Sequence, residues 1–340
     1  MTRSDQEGHL PEVDYGEVMD YGEVLWRWLW NLNEYGMCLV NNVPTLPGSV
    51  IKAGEDCKRD AFVPPLIITK LAVSWYMLCM ASGKLRPDHS VCIYSFSQHG
   101  HVSQVCKRIG RIQETLYGKV FELLVKDNPA TIANTGEGLP LHMDLLYYKS
   151  PPGLSLLHCL RYDDSVIGGE SLLLDCYPIL EDLKNNYPEQ FHTLTRVPAT
   201  FQSIHHTGVP PTHFIRRVPH VVLGHHEEIV AVNWCPIAEG ALQVSPVDVE
   251  PYYQAYLLLA KLFNTSERLL KFRLLPGQLI SFNNRRILHG RNSFHSKERG
   301  GVRHFEGLFI NVDESNSQFH LLNNKFGSEP PKYVFNHSVF

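Results

Sequence analysis

The stretch Gly138-Leu139-Pro140-Leu141-His142-Met143-Asp144-Leu145-Leu146 constrains this chain more than any other. In an extended strand, side chains at i and i+2 leave the same face. His142 and Asp144 therefore converge on one point, an imidazole nitrogen beside a carboxylate oxygen. That pair suits a divalent metal, but two donors hold a catalytic metal poorly, so a third is expected elsewhere. Among the 18 histidines, His289 in Ile287-Leu288-His289-Gly290-Arg291 is the best candidate. Two histidines and one carboxylate on one face of a metal, with open positions opposite, is the arrangement of non-haem Fe(II) oxygenases. Arg303 follows His289 in the chain. A buried arginine near a metal clamps a carboxylate through two parallel hydrogen bonds. Triad and clamp together point to a 2-oxo acid co-substrate, one end on iron and the other on Arg303.

Composition narrows the alternatives. The 340 residues are 44% hydrophobic and 19% charged, ample for a sizeable core. A net charge of -4 offers no basic surface for nucleic acid or an anionic membrane. The 8 cysteines include no C-x-x-C pair, which argues against a zinc knuckle and reads as reduced thiols of an intracellular protein. The apolar run 66–81 is broken by Lys70 and too short for a membrane span. The acidic N-terminus lacks the Arg-rich character of a presequence, so the expected compartment is the cytoplasm, with the mitochondrion as second choice.

Hydrophobic spacing predicts a helix over 22–34, a strand over 37–43, a strand over 120–125 and strands from Leu139 onward. Residues 108–117 read as helix or turn. Leu154 to Leu160 and Glu170 to Asp175, joined through Gly168-Gly169, read as a hairpin. Helices are expected over 177–186, from Pro188, and over 249–263, the last with Tyr253, Tyr256, Leu257, Ala260 and Phe263 inward. Val218 to Leu223 and Glu228 to Trp234 form a strand pair, with His225 and His226 in its turn. Leu269 to Leu274 and Leu279 to Asn283 form another, with His289 at its mouth, and 301–312 gives the last strand. A few helices beside many strands make an α+β protein with a barrel-like β core.

These residues resemble a known family, the γ-butyrobetaine and trimethyllysine dioxygenase group of Fe(II)/2-oxoglutarate oxygenases. The carrying motifs are His142-Met143-Asp144, Ser150-Pro151-Pro152-Gly153, Leu157-His158-Cys159, Gly168-Gly169-Glu170-Ser171, Asp175, Leu288-His289-Gly290-Arg291 and Arg303-His304-Phe305-Glu306-Gly307. Leu10-Pro11-Glu12-Val13-Asp14 and Pro151-Pro152-Gly153 lean toward the γ-butyrobetaine branch. The resemblance implies a double-stranded β-helix (jelly-roll) core with flanking helices. It implies iron on His142, Asp144 and His289, and the distal 2-oxoglutarate carboxylate on Arg303. Co-substrates are then 2-oxoglutarate and O2, with ascorbate as helper reductant. Asn233 is expected to touch the cofactor and, with Asn283, to donate hydrogen bonds behind the ligands.

The substrate implied is a small quaternary ammonium compound, γ-butyrobetaine hydroxylated to L-carnitine, with trimethyllysine as the alternative. A trimethylammonium head donates no hydrogen bonds and is best held by aromatic faces. Tyr117, Phe121 and Phe309 fall at the family's box positions. Asn134 and Leu145 stand where that family carries Tyr, and Tyr147 and Tyr148 lie close by. The expected organisation is an N-terminal part of the catalytic domain (1–56), an atypical, poorly ordered insertion (57–104), the jelly-roll core (105–315) and a tail (316–340). The family's usual N-terminal zinc-binding domain has no counterpart in the sequence, and its members form homodimers. Two rival readings stand beside this one: a zinc hydrolase on the same triad, which leaves Arg303 unexplained, and a non-catalytic relative that binds a betaine or a partner.

Overall fold

The computed structural model describes residues 10–45, 101–125, 131–206, 210–297 and 301–327. The contacts group Met1–Thr45 with His101–Phe340 and set Leu46–Gly100 apart as a second unit. The insertion expected over 57–104 lies outside the described residues, except for 101–104, which open the helix His101–Lys107.

Two sheets carry the first unit. The large sheet runs in the order Glu12–Asp14, Met37–Asn41, Leu279–Asn283, Leu154–Tyr162, Arg303–Ile310, Phe121–Leu123. All its pairs are antiparallel except the first, which is parallel. The small sheet runs Leu270–Phe272, Ser171–Asp175, Ile287–Arg291, Leu139–His142, antiparallel throughout. Alternation along the strands decides which face meets what. Met37, Leu39, Ile280, Phe282 and Phe305 of the large sheet pack with Leu173 and Ile287 of the small one in one buried cluster.

The other faces are covered by helices. The helix Gly22–Glu34 lays Leu25, Trp28, Leu29 and Leu32 against Leu154, Leu156, Leu308 and Ile310 of the large sheet. Trp28 anchors it: its indole N–H donates to Ser281 Oγ at 2.8 Å, and that hydroxyl donates on to Cys38 O. On the small sheet, Leu174, Leu288 and Leu141 pack with the helices Tyr177–Asn186, Pro188–Arg196 and Pro246–Asn264. The molecule is therefore a mixed fold of sheets and flanking helices, as expected.

Several local readings change. Leu154–Tyr162 and Ser171–Asp175 are not a hairpin: they sit in different sheets, because each buries its apolar face against other strands. Leu270–Phe272 and Leu279–Asn283 likewise divide between the sheets, and His289 lies within its own strand. Of the two readings for 108–117, helix or turn, the turn holds, with turns at 108–109 and 116–117. Val218 belongs to Thr212–Pro219, which pairs with Pro198–His205, a long hairpin not expected from sequence. Helix Pro246–Asn264 buries Tyr252, Ala255, Leu259 and Phe263, whereas Tyr253 and Leu257 face solvent. The tail expected from 316 begins as the helix Val312–Phe326, which buries Phe319 with Trp28 and Leu29.

Candidate active site

His142 ends its strand and His289 sits directly opposite it in the neighbouring one. The register shifts just past this pair, at residue 290, where a glycine is needed: a Cβ there would stand 2.7 Å from Leu139 O. The two imidazole rings lie 4.2 Å apart, and Phe282 packs 4.8 Å from His289. Asp144 completes the group, with His142 Nε2 at 3.7 Å from Oδ1 and His289 Nε2 at 3.3 Å from Oδ2. One nitrogen or oxygen from each residue lies within 4.8 Å of the others.

The backbone and its neighbours set these donors. His142 Nδ1 lies 2.8 Å from Pro140 O, so Nδ1 carries the proton and Nε2 presents its lone pair to the site. Asn284 holds Asp144 from both sides: its Oδ1 accepts from Asp144 N at 2.8 Å, and its Nδ2 donates to Asp144 O and Pro152 O. Ser155, on the large sheet, donates to Asp144 Oδ2 at 3.3 Å. Directly after Asp144, Leu145 has φ +55°, a left-handed conformation that costs a leucine roughly 1–2 kcal/mol. Burial opposes ionisation of Asp144, but the two imidazoles outweigh it and hold the carboxyl well below the ordinary carboxylate range. Burial pulls His289 down, so it is a neutral donor. At His142 burial opposes the charged form, but the Asp144 carboxylate outweighs it and raises the pKa. One carboxylate and two imidazoles, converging and oriented, fit a divalent metal such as iron, whose binding releases any proton on the ligating nitrogens.

Arg303 opens the strand on the facing sheet and lines the same cavity, of about 300 Å³. Its guanidinium carbon stands 4.0 Å from the Phe305 ring centre and 5.4 Å from that of Tyr162. No carboxylate among the described residues pairs with it, and its Nε is buried without a hydrogen-bond partner. An enclosed guanidinium left open toward a cavity is a seat for a carboxylate. The seat is tight: Gly168 and Gly169 both have φ +77°, and a Cβ on Gly169 would stand 2.7 Å from the Tyr162 hydroxyl and 3.1 Å from Arg303 Nε.

Aromatic residues form another part of the cavity lining. Tyr117, Phe121, Phe309 and Tyr147 all line it. Ring centres are 6.4 Å apart for Tyr117 and Phe121 and 5.1 Å for Phe121 and Phe309. The Tyr117 and Tyr147 hydroxyls are 3.5 Å apart. Tyr148 does not line the cavity; it stacks on Phe214 and accepts from Leu116 N. Asn134 does line it, while its Nδ2 ties Glu122 O and Leu124 O. Asn233 is not among the lining residues: it is buried, with Nδ2 on Pro219 O and Oδ1 accepting from Arg216. Asn283 caps its own turn through Arg285 N. The supporting amide is Asn284, one residue on, and the adjacent pair of asparagines gave no signal to choose between them. Arg291 also escaped a role: it donates to the carbonyls of Ala133, Thr135 and Glu137, fixing the segment that carries Asn134.

The family model described as "Taurine catabolism dioxygenase TauD, TfdA family" matches residues 89–308. The chain belongs to this family. It is 26% identical over 316 residues to human γ-butyrobetaine dioxygenase, covering 92% of this chain and 67% of the relative. The corresponding enzyme of Pseudomonas sp. strain AK-1 is 27% identical over 314 residues, with 92% and 66% covered. Bovine mitochondrial trimethyllysine dioxygenase is 27% identical over 216 residues, 63% of this chain and 50% of its own length. The chain thus spans about two thirds of its butyrobetaine-type relatives. Among solved structures, asparagine oxygenase with Fe(II), 3-hydroxyasparagine and succinate has a TM-score of 0.54 at 16% identity, covering 89% of this chain and 79% of that one. The non-haem iron oxygenase OrfP with Fe and α-ketoglutaric acid has a TM-score of 0.51 at 13% identity, with 85% and 78% covered. The resemblance read from the motifs is borne out, and the chain is a 2-oxoglutarate-dependent, Fe(II)-using dioxygenase. The zinc-hydrolase reading falls with that assignment. No described helix is long and apolar enough to cross a membrane.

Proposed function

We propose that this dioxygenase hydroxylates a small trimethylammonium substrate, with γ-butyrobetaine first. The observation that carries the reading is one cavity lined by the His142–Asp144–His289 donors, by Arg303 and by a wall of four aromatic rings. The two facing sheets serve as the walls of a double-stranded β-helix, built from 105–315 and completed by the N-terminal strands of 1–56.

In this reading His142, Asp144 and His289 hold the iron, and Arg303 fixes the far carboxylate of 2-oxoglutarate. Bound iron supplies O2 activation coupled to oxidative decarboxylation of the co-substrate, ending in C–H hydroxylation. The chain supplies position. Asn284 and Ser155 keep the Asp144 carboxylate aimed, and the His142 Nδ1 bond to Pro140 O turns Nε2 toward the site. Tyr117, Phe121, Phe309 and Tyr147 present ring faces to a cation, worth about 0.5–2 kcal/mol per well-placed ring. Tyr147 supplies a ring that Leu145 and Asn134 do not. Ascorbate is included as the helper reductant.

The test is succinate formation by the full chain with Fe(II), ascorbate and 2-oxoglutarate, run with γ-butyrobetaine, with trimethyllysine and with neither. Stimulation by γ-butyrobetaine is expected. Stimulation by trimethyllysine alone moves the substrate to the other branch, and slow turnover indifferent to both overturns the trimethylammonium assignment. A protein that binds substrate without any turnover would be the non-catalytic relative.

A further inference from the structure

The segment that carries Asn134 is suspended between the metal-donor strand and the aromatic wall. Arg291 stands two residues past His289 and is buried. Its guanidinium donates to Ala133 O at 3.0 Å, to Thr135 O at 2.9 Å and to Glu137 O at 2.6 Å. Phe294 N adds a bond to Gly136 O at 2.8 Å, and a Cβ on Gly136 would stand 2.6 Å from Phe294 O. The carbonyls of this segment thus hang on the chain that leaves the His289 strand.

The other side of the segment grips the wall. Asn134 Nδ2 donates to Glu122 O and Leu124 O, both at 3.0 Å, and its Oδ1 accepts from Thr131 Oγ1 at 3.2 Å. Phe121–Leu123 is the edge strand of the large sheet. Carbonyls two residues apart face the same way, so one side-chain amide stands where a next strand would. Phe121 packs against Gly307, where any Cβ would collide with its ring, and lies 5.1 Å from Phe309. The ring goes where its strand goes.

Arg291 holds this arrangement with a charge taken out of water. No carboxylate among the described residues pairs with it and its Nε is enclosed without a partner, whereas nearby Arg286 grips Asp175 at 2.6 Å. A guanidinium partnered by carbonyls alone is costly to bury, and what it secures is the place of those carbonyls. Its Cζ stands 4.9 Å from the Phe294 ring centre and that of Arg303 5.3 Å from the same centre, so segment and carboxylate seat share one ring.

We propose that Arg291 and Asn134 form a bracket that sets the aromatic wall at its distance from the metal donors. Both are positioning residues: Asn134 gives the wall no ring but clamps the strand that bears one. The bearing of the bracket on a trimethylammonium head rests on the proposed function.

The experiment compares wild type, R291Q, R291K, N134A and N134D as full chains. Backbone hydrogen exchange, read without substrate, should quicken about tenfold at 121–123 and 131–137 in the variants, while 139–142 and 287–289 keep wild-type rates. R291K keeps the charge, loses the planar fork and should follow R291Q. KM for γ-butyrobetaine should rise about 5- to 30-fold, with iron affinity and KM for 2-oxoglutarate within about threefold of wild type. N134D keeps the size, loses the donor and adds a negative charge: a side chain in direct contact with the cation would then bind it more tightly, and a lost clamp binds it more weakly. Should R291Q not fold, R291K and the Asn134 variants carry the comparison. Wild-type exchange at 121–123 in the variants, tighter cation binding by N134D, or a KM for 2-oxoglutarate that rises as far as that for the cation overturns the bracket. Failure of both cations to stimulate the wild type overturns the substrate instead, and the exchange rates then decide the bracket on their own.

Discussion

The metal-donor face and the aromatic wall share one cavity but are built differently. His142 and His289 are paired residues of adjacent strands, so sheet register fixes their spacing. Asp144 is held by an amide that bonds its backbone N–H and carbonyl together. The aromatic wall draws Tyr117 from a turn, Phe121 from an edge strand, Phe309 from a sheet interior and Tyr147 from a turn. Chemistry sits where backbone hydrogen bonds leave no freedom. The wall, which the proposed function makes the recognition surface, sits where side chains can be exchanged without disturbing a ladder, and it takes in the positions of Asn134 and Leu145.

That contrast predicts unequal costs. The largest effect should come from Asp144→Ala, which removes the only carboxylate of the donor set; succinate formation should fall more than about 100-fold, beyond what supporting groups cost, with iron binding lost in parallel. Residual iron-dependent turnover near wild type would remove Asp144 from the donor set. Arg303→Gln should leave iron binding intact and raise KM for 2-oxoglutarate by roughly 30- to 5,000-fold, corresponding to about 2–5 kcal/mol for a broken enclosed charge pair. An unchanged KM would detach Arg303 from the co-substrate.

Asn284→Ala sharpens the comparison, since it touches no substrate. Iron affinity should drop about 10- to 100-fold, because Asp144 loses its brace, while KM for the cation stays close to wild type. A change confined to substrate KM would place Asn284 on the wrong side of the divide. The smallest effect belongs to the wall: Leu145→Tyr adds a ring and should tighten γ-butyrobetaine binding by about 2- to 30-fold, with iron affinity unmoved.

The donor face was legible in the sequence because alternation in a strand is strict: His142 and Asp144 follow from a period of two. Arg303 was legible because an arginine near a metal has few other uses. The sheet partners were not. Leu154–Tyr162 and Ser171–Asp175 are close in sequence and look like a hairpin, yet what each strand buries is decided by residues 279–310. Helix Pro246–Asn264 carries apolar residues on overlapping stripes, so Tyr252 and Tyr253 were equally good on spacing and only packing against Phe201 and Trp234 separates them. Asn284 was missed because two consecutive asparagines differ only in direction.

Arg303 belongs to one sheet and the histidines to the other. On the proposed function, a 2-oxo diacid engaged at both ends is a cross-brace between two layers that meet through the apolar cluster of Phe282, Phe305 and Ile287 and through the Ser155–Asp144 hydrogen bond. Its length is gauged by the gap, and the glycine pair beside Tyr162 leaves the arginine end no slack. By linkage, a ligand binding the folded chain at 100 times its dissociation constant stabilises it by about 2.7 kcal/mol. On the same reading, a diacid one carbon shorter should forgo one end of the brace, so thermal stabilisation measured across a homologous series reads the distance between the sheets like a feeler gauge.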